Sequence, residues 1–322
     1  MKKVTVIIPN YNGMKFIKEC LESILNQDVG TPDYQVLVVD NGSQDGSLKL
    51  IQSQFPQVMT IALTSNPGFC HAVNVGIRAT DTPYVLLLNN DTKAGACFIK
   101  ALYEAIEAKP SAFSVSGKML MWDNPQRIDD AGDRYCVLGW AYARGKGKPT
   151  ADFQKASEVF SACGGAVIYR KSILDQIGLF DEAHFAYLED LDIGYRAKLY
   201  GYKNYYEPSA EVIHYGSATS GSQYNTWKTS LAAANSIYVI AKNMPLLQIL
   251  WNLPFLVLGF FLKFLFFCKK RMGMIYVKGL INGFKKSFAN FGHDRKQLGN
   301  LRNCLAIQWQ LYLNVFRILK KY

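Results

Sequence analysis

Apolar and polar residues change rhythm several times along the first 120 positions. A short apolar run over 4–8 ends at Pro9, the pattern of a parallel strand buried on both faces. Phe16, Ile17, Cys20, Leu21, Ile24 and Leu25 then recur at helical spacing and predict an amphipathic helix. Apolar runs over 35–39, 58–63 and 84–88 predict three more strands, with helices after Gly46, over 70–79 and over 96–108. Alternation of this kind gives an α/β fold, a Rossmann-like, mostly parallel sheet with helices on both faces. Beyond position 120 the rhythm weakens. The stretch 144–148 reads as a mobile loop, and 187–200 fits a helix. The run 160–169 contains Ala162-Cys163-Gly164-Gly165 and predicts a strand passing close to a ligand, because glycine admits close backbone approach.

Charge changes the picture at the far end. The 322 residues carry a formal net charge of +11. Residues 1–241 hold 22 Lys and Arg against 24 Asp and Glu, whereas 242–322 hold 14 against the single acid Asp294. The same tail contains the most apolar run, 246–268, interrupted by Gln248, Asn252, Pro254, Gly259 and Lys263 and followed by Lys269-Lys270-Arg271. The chain therefore divides into a folded domain over 1–241 and a basic, apolar, helical tail over 242–322 that seeks an anionic membrane surface. As one straight helix, the run 246–268 would be about 34 Å long, enough to cross a bilayer. A single crossing would export the basic segment after 268, against the positive-inside rule for a cytosolic domain. A Pro-broken re-entrant hairpin, or helices lying in the interface at the cytoplasmic face, is expected instead. A packing or homo-oligomer surface is the remaining use of that run.

Basic charge confined to the tail, with no helix-turn-helix, zinc-finger or RNP1-like motif, excludes nucleic acid as the partner. The cysteines (Cys20, Cys70, Cys97, Cys136, Cys163, Cys268 and Cys304) form no CxxC, so neither a disulfide framework nor a structural zinc is expected. The opening MKKVTVIIPNYNG runs directly into a strand and predicts no secretory signal.

Ligands of open α/β sheets bind at the carboxyl ends of the strands. Here those ends carry Pro9-Asn10-Tyr11-Asn12, Asp40-Asn41-Gly42-Ser43 and Asn89-Asn90-Asp91, which should converge on one cleft, and no GxGxxG follows the first strand. Asp40 is either a turn residue or a carboxylate that accepts a pyrimidine imide N–H, with Tyr11 stacking nearby. Asp91 is either part of a capped turn or a ligand for a hard cation on a diphosphate. Glu189, Asp190 and Asp192 suit a helix N-terminus, yet three acids in four positions beside Phe185 and Tyr187 exceed what capping requires, and one of them can serve as a general base. His214 ends a short strand as a structural histidine or a metal ligand, ahead of His71, His184 and His293.

Taken in order, these motifs resemble a family 2 glycosyltransferase of the GT-A fold, in the rhamnosyltransferase-like branch that builds bacterial surface polysaccharides. The likeness also rests on Asn66-Pro67-Gly68-Phe69, Gly178-Leu179-Phe180-Asp181-Glu182 and Arg196, and covers about residues 3–240. It implies that Asp40, Pro9, Tyr11 and Asn12 hold the nucleobase end of a UDP- or dTDP-sugar. Asn66, Gly68 and Phe69 would line the donor pocket, and Gly164 and Gly165 its sugar side. Asp91 would be the metal carboxylate of a DxD-type motif that here reads Asn89-Asn90-Asp91, and His214 a second ligand to the same Mn2+ or Mg2+. Asp190 would be the catalytic base, with Glu189 contacting the acceptor.

Two features depart from the pattern. The first DxD position is Asn89, and His71 stands where relatives carry a small residue. The Gln-x-x-Arg-Trp motif of processive synthases is absent, which favours one sugar per encounter. The resemblance implies inverting transfer of that sugar to a hydroxyl of a lipid-linked glycan. The competing readings are a polyprenyl-phosphate monosaccharide synthase and a non-catalytic nucleotide-sugar-binding protein. A sugar-nucleotide pyrophosphorylase is disfavoured because 9–13 carries no basic residue.

Overall fold

The computed structural model describes residues 2–216, 224–290 and 300–319, so His293 and Asp294 lie outside the described residues. In chain order the first half is β1 (Val4–Asn10), α1 (Ile17–Leu25), β2 (Tyr34–Asp40), α2 (Ser47–Gln54), β3 (Met59–Ala62), α3 (Phe69–Arg78), β4 (Tyr84–Leu88), β5 (Thr92–Ala94), α4 (Phe98–Glu107) and β6 (Ala112–Met121). The second half is β7 (Ile128–Asp130), β8 (Asp133–Tyr135), β9 (Ala141–Ala143), β10 (Ser157–Val159), β11 (Ala166–Arg170), α5 (Lys171–Ile177), α6 (Glu189–Leu199), β12 (Lys203–His214), α7 (Thr226–Asn243), α8 (Leu246–Lys269), α9 (Gly273–Ala289) and α10 (Leu301–Leu319).

The main sheet runs β10-β12-β6-β11-β4-β1-β2-β3. Strands β3, β2, β1 and β4 are parallel neighbours, β11 is antiparallel to both β4 and β6, and β12 is parallel to β6. The β3-β2-β1-β4 half is thus parallel, as the alternation predicts, while β10, β11, β5 and β7 pair antiparallel and make the sheet as a whole mixed. Val4, Val6 and Ile8 of β1 face one core with Ile17, Leu21 and Leu102, while Ile7 faces a second core with Val39, Val73 and Ile193. Two-sided burial is why these strands read as continuous apolar runs. The strand order reverses at β1, whose neighbours are β2 and β4, and a ligand crevice opens at such a switch point.

Three expectations need correction. The strand placed over 160–169 joins the main sheet only from Ala166, with Ser161 bridging Asp133 beforehand. Residues 160–165 leave the sheet, and Asn89 donates its backbone N–H to the Gly165 carbonyl at 2.9 Å. The stretch 144–148 is a tied turn: Arg144 N–H reaches the Gly132 carbonyl, Gly147 N–H the Ile128 carbonyl, and Lys146 Nζ lies 2.6 Å from Asp129 Oδ1. Pro254 does not break the apolar helix, because α8 continues through it and the chain turns only after Lys269. One lost backbone hydrogen bond is offset by docking. Gln248, Asn252, Leu256 and Gly259 form the buried stripe of α8, Trp140 Nε1 donates to the Gly259 carbonyl at 3.0 Å, and Asn252 pairs with Gln308 of α10.

The boundary drawn at 241/242 falls within the last turn of α7. Ile307 and Leu311 of α10 and Leu256 of α8 share a core with Phe160, Leu191 and Tyr195, so the tail helices pack against the sheet domain. Leu250, Trp251, Phe261 and Phe266 of α8, Phe284 and Phe288 of α9, and Leu305 and Trp309 of α10 remain exposed. Among the described residues, α8 alone is long and apolar enough to cross a membrane, with a mean hydropathy of 2.0.

Candidate active site

One end of the cleft is built on the tips of β1 and β2. Asn10 is fully buried; its Nδ2 donates to Asp40 Oδ1 at 2.8 Å and Ser47 Oγ at 2.9 Å, and its Oδ1 accepts from Asn90 Nδ2 at 2.8 Å. This side chain ties together the ends of β1, β2 and β4. Asp40 Oδ2 accepts from the Ser43 N–H at 2.9 Å, so the Asp40 carboxylate is engaged in shaping its own loop. The neighbouring Asn41 has a different status. Its Nδ2 donates to Asn66 Oδ1 at 2.7 Å and the Gly68 carbonyl at 3.2 Å, while its buried Oδ1 has no hydrogen-bond partner among the described residues. A buried acceptor left open is costly unless a ligand fills it.

Tyr11 is exposed and Pro9 half-buried. Asn12, at φ 50°, accepts the Gln44 N–H and donates its own N–H to Ser43 Oγ, locking the β1–α1 turn onto the loop after β2. Gly68, at φ 107°, leads into α3 and half-buried Phe69, and a Cβ there would meet the Phe185 carbonyl oxygen at 2.8 Å.

Asp91 follows β4, and His214 ends β12. His214 Nε2 lies 3.4 Å from Asp91 Oδ1, and its Nδ1 lies 2.7 Å from Asp129 Oδ2. Two ligands each about 2.1 Å from one divalent ion sit about 3 Å apart, so this donor set fits an Mn2+ or Mg2+. Burial works against a charge on His214, but the two carboxylates outweigh it and raise the imidazole to about 9. A cation arriving between His214 and Asp91 would displace that proton. Asp129, itself held by Lys146, orients the ring from behind, the role an outer carboxylate plays toward a metal-bound histidine. The sequence reading missed Asp129, which sits in Ile128-Asp129-Asp130 and looks like any turn. Its signal is spatial, because β7 pairs with β6 and β6 runs beside β12.

Asp190 opens α6. Its Oδ2 accepts from the Gly164 N–H at 3.2 Å, its Oδ1 from the Leu191 N–H at 2.7 Å, and Asp133 lies within hydrogen-bonding reach. Burial raises the Asp190 carboxyl above its ordinary value, and burial together with the Asp190 charge raises Glu189 further. Asp130, Asp133 and Cys163 converge close by, their ligand atoms within 4.8 Å of one another. Gly165 is close-fitting, since a Cβ there would meet Asn89 Nδ2 at 2.9 Å. The sequence-chosen residues thus come together in two groups joined by Gly164-Gly165, with Asn89 and Asp91 on one side and Asp190 on the other. Asn90 turns away to support Asn10. The remaining described histidines lie apart: His71 Nδ1 pairs with Glu182 Oε2 at 2.7 Å, and His184 is fully buried.

A mixed α/β sheet whose parallel half carries polar clusters at its strand ends, with Asp91 after β4 facing His214 at the end of β12, is a GT-A-like architecture. The fold matches the crystal structure of GalNAc-T7 with UDP, GalNAc and Mn2+ at TM-score 0.61 and 13% identity, over 75% of this chain and 48% of that one. It also matches the mannosyltransferase PcManGT of Pyrobaculum calidifontis, in complex with GDP-Man and Mn2+, at TM-score 0.52 and 18% identity, over 89% and 86%. Residues 5–178 match the model of glycosyl transferase family 2, and the chain belongs to that family, in its rhamnosyltransferase-like branch. Over 210 residues it is 30% identical to the N-acetylglucosaminyl-diphospho-decaprenol L-rhamnosyltransferase of Mycobacterium tuberculosis, a match spanning 58% of this chain and 68% of the relative.

Proposed function

We propose that this glycosyltransferase moves one sugar from a nucleotide sugar, dTDP-rhamnose or a UDP-sugar, to a hydroxyl of a lipid-linked glycan in cell-surface polysaccharide synthesis, with inversion. The observation that carries this reading is that Gly164-Gly165 joins the two halves of the chemistry. Gly165 accepts from Asn89, two residues before the cation carboxylate Asp91, and Gly164 donates to Asp190. Asp190 takes the proton from the acceptor hydroxyl as that oxygen bonds to the anomeric carbon. The bond from that carbon to the diphosphate breaks, and the nucleoside diphosphate leaves with the electron pair. Asp91 and His214 would hold an Mn2+ or Mg2+, which when bound would supply charge neutralisation for the leaving diphosphate. Asn41 Oδ1, with Tyr11 beside the pocket, offers the acceptor for a nucleobase N–H, and Asp40 holds the loop that presents it.

The name of the mycobacterial relative supports a lipid-diphosphate-linked acceptor and a rhamnosyl donor. Such an acceptor stays at the membrane surface. The exposed apolar faces of α8, α9 and α10, set in a tail rich in Lys and Arg, suit docking on an anionic leaflet at the cytoplasmic face. Nucleoside-diphosphate release across UDP-, dTDP- and GDP-sugars with Mn2+, Mg2+ or EDTA tests the function. Metal-dependent release from one donor, lost in Asp91→Ala, is expected. Release from none, together with no binding of UDP or dTDP by calorimetry, contradicts the proposal.

A further inference from the structure

The loop that delivers Asp190 is strained and depends on distant support. Phe185, Tyr187 and Leu188 all have positive φ, at 63°, 68° and 65°. For residues with a Cβ this conformation costs about 1–2 kcal/mol each, so the loop persists only if its surroundings over-determine it. Leu188 is the N-cap of α6, two residues before Asp190.

Much of the restraint comes from one buried side chain. Asn235 of α7 is fully buried, and its Nδ2 lies 3.0, 2.9 and 2.8 Å from the carbonyls of His184, Ala186 and Tyr187. Its Oδ1 accepts from Lys286 Nζ at 2.7 Å, and the same ammonium donates to the Ala183 carbonyl at 2.6 Å. Lys286 belongs to α9, whose outer face carries Phe284 and Phe288 into solvent. It reaches the loop because α9 packs unusually close to α7. A Cβ on Gly279 would meet the Ser230 carbonyl oxygen at 2.6 Å, and one on Gly283 the Ala234 carbonyl oxygen at 2.5 Å. Two glycines four positions apart on one helix face permit that approach.

We propose that Lys286 is a positioning residue for Asp190, acting from α9 through Asn235 and the 183–188 loop. The helix whose outer face suits the membrane thereby sets the geometry of the base. The proposal rests on Asp190 being that base, and its test separates the two claims.

Lys286→Met and Lys286→Arg are compared in the full chain by hydrogen–deuterium exchange, by calorimetry with UDP and dTDP, and by turnover of the donor that the wild type uses. In Lys286→Met, exchange over 183–190 is expected to rise at least tenfold while β1, β2 and β4 stay protected. Nucleotide affinity should stay within twofold, and kcat should fall at least tenfold with donor KM within threefold. Lys286→Arg, which keeps donors for the same oxygens, should restore most of both losses. Exchange over 183–190 within twofold of wild type overturns the proposal, as does loss of protection throughout the chain, which would make Lys286 a support of the fold. If the wild type turns over no donor and binds neither UDP nor dTDP, the proposed sugar transfer fails, yet the exchange result still decides whether Lys286 holds the loop.

Discussion

The proposed donor end and the proposed base end of the cleft are built on different terms. At the donor end, Asn10, Asp40 and Asn90 stand at the tips of adjacent parallel strands, and Asn10 bonds directly to the other two. The sheet that makes the core also fixes their geometry. At the base end, Asp190 follows a loop of left-handed residues held by side chains from α7 and α9, far away in sequence. Strand-tip geometry survives as long as the sheet survives. Loop geometry can fail while the sheet stands. Perturbing the helices should therefore damage turnover before nucleotide binding, and perturbing the strand tips should do the reverse.

The largest stability effect is expected at Asp192, which couples α6 to α7. It is fully buried, 2.9 Å from Arg196 and 3.3 Å from Lys242, and Asn243 donates to it at 2.7 Å. Burial opposes its charge, but Arg196 and Lys242 hold the carboxyl well below its ordinary value. A carboxyl depressed in the folded state contributes stability at neutral pH and loses it as the solution is acidified below the ordinary aspartate value. Asp192→Ala should lower unfolding free energy by about 3–5 kcal/mol, read from denaturant melts at pH 7. The deficit should shrink at low pH.

A smaller effect is expected behind the histidine. Asp129→Asn should weaken Mn2+ binding by about 10- to 100-fold without altering affinity for free nucleotide in EDTA, since it orients a ligand and is not one. Smaller again, Asn41→Ala should weaken UDP or dTDP binding by about 1 kcal/mol, roughly fivefold, with kcat on saturating donor unchanged. Asp40→Asn should instead disturb the Ser43 loop. Equal losses in the two variants would erase the distinction drawn between these neighbours. The pH profile sharpens the contrast further. A base must be ionised to accept a proton, and burial raises Asp190, so the acid limb of kcat should lie above the value of about 3.9 expected of an unperturbed aspartate. A limb at or below that value contradicts the assignment.

Much of the first half was legible because its physics is local. The apolar run of β4 matches its strand end for end, and the helical spacing of Ile17, Cys20, Leu21 and Ile24 matches the buried face of α1. Strand β6 was not legible, because it buries Ser114, Ser116 and Lys118, whose partners Asn204, Tyr205 and Glu211 lie about ninety positions away. Asp129 and Asn235 were hidden for the same reason, since their roles exist only once β7 and α7 are in place. Pro254 misled because a proline's local cost was weighed without the docking stripe that outweighs it.

The most direct test of this account pairs two measurements on one variant. Asp190→Asn removes the proposed base while keeping an acceptor for the Gly164 N–H, so the loop and the donor pocket should stand. Turnover of the preferred nucleotide sugar should fall by about 10²- to 10⁴-fold, while UDP or dTDP affinity stays within twofold of wild type. Normal nucleotide affinity with wild-type turnover would show that the proton leaves by another group, and that the base end of the cleft is misassigned.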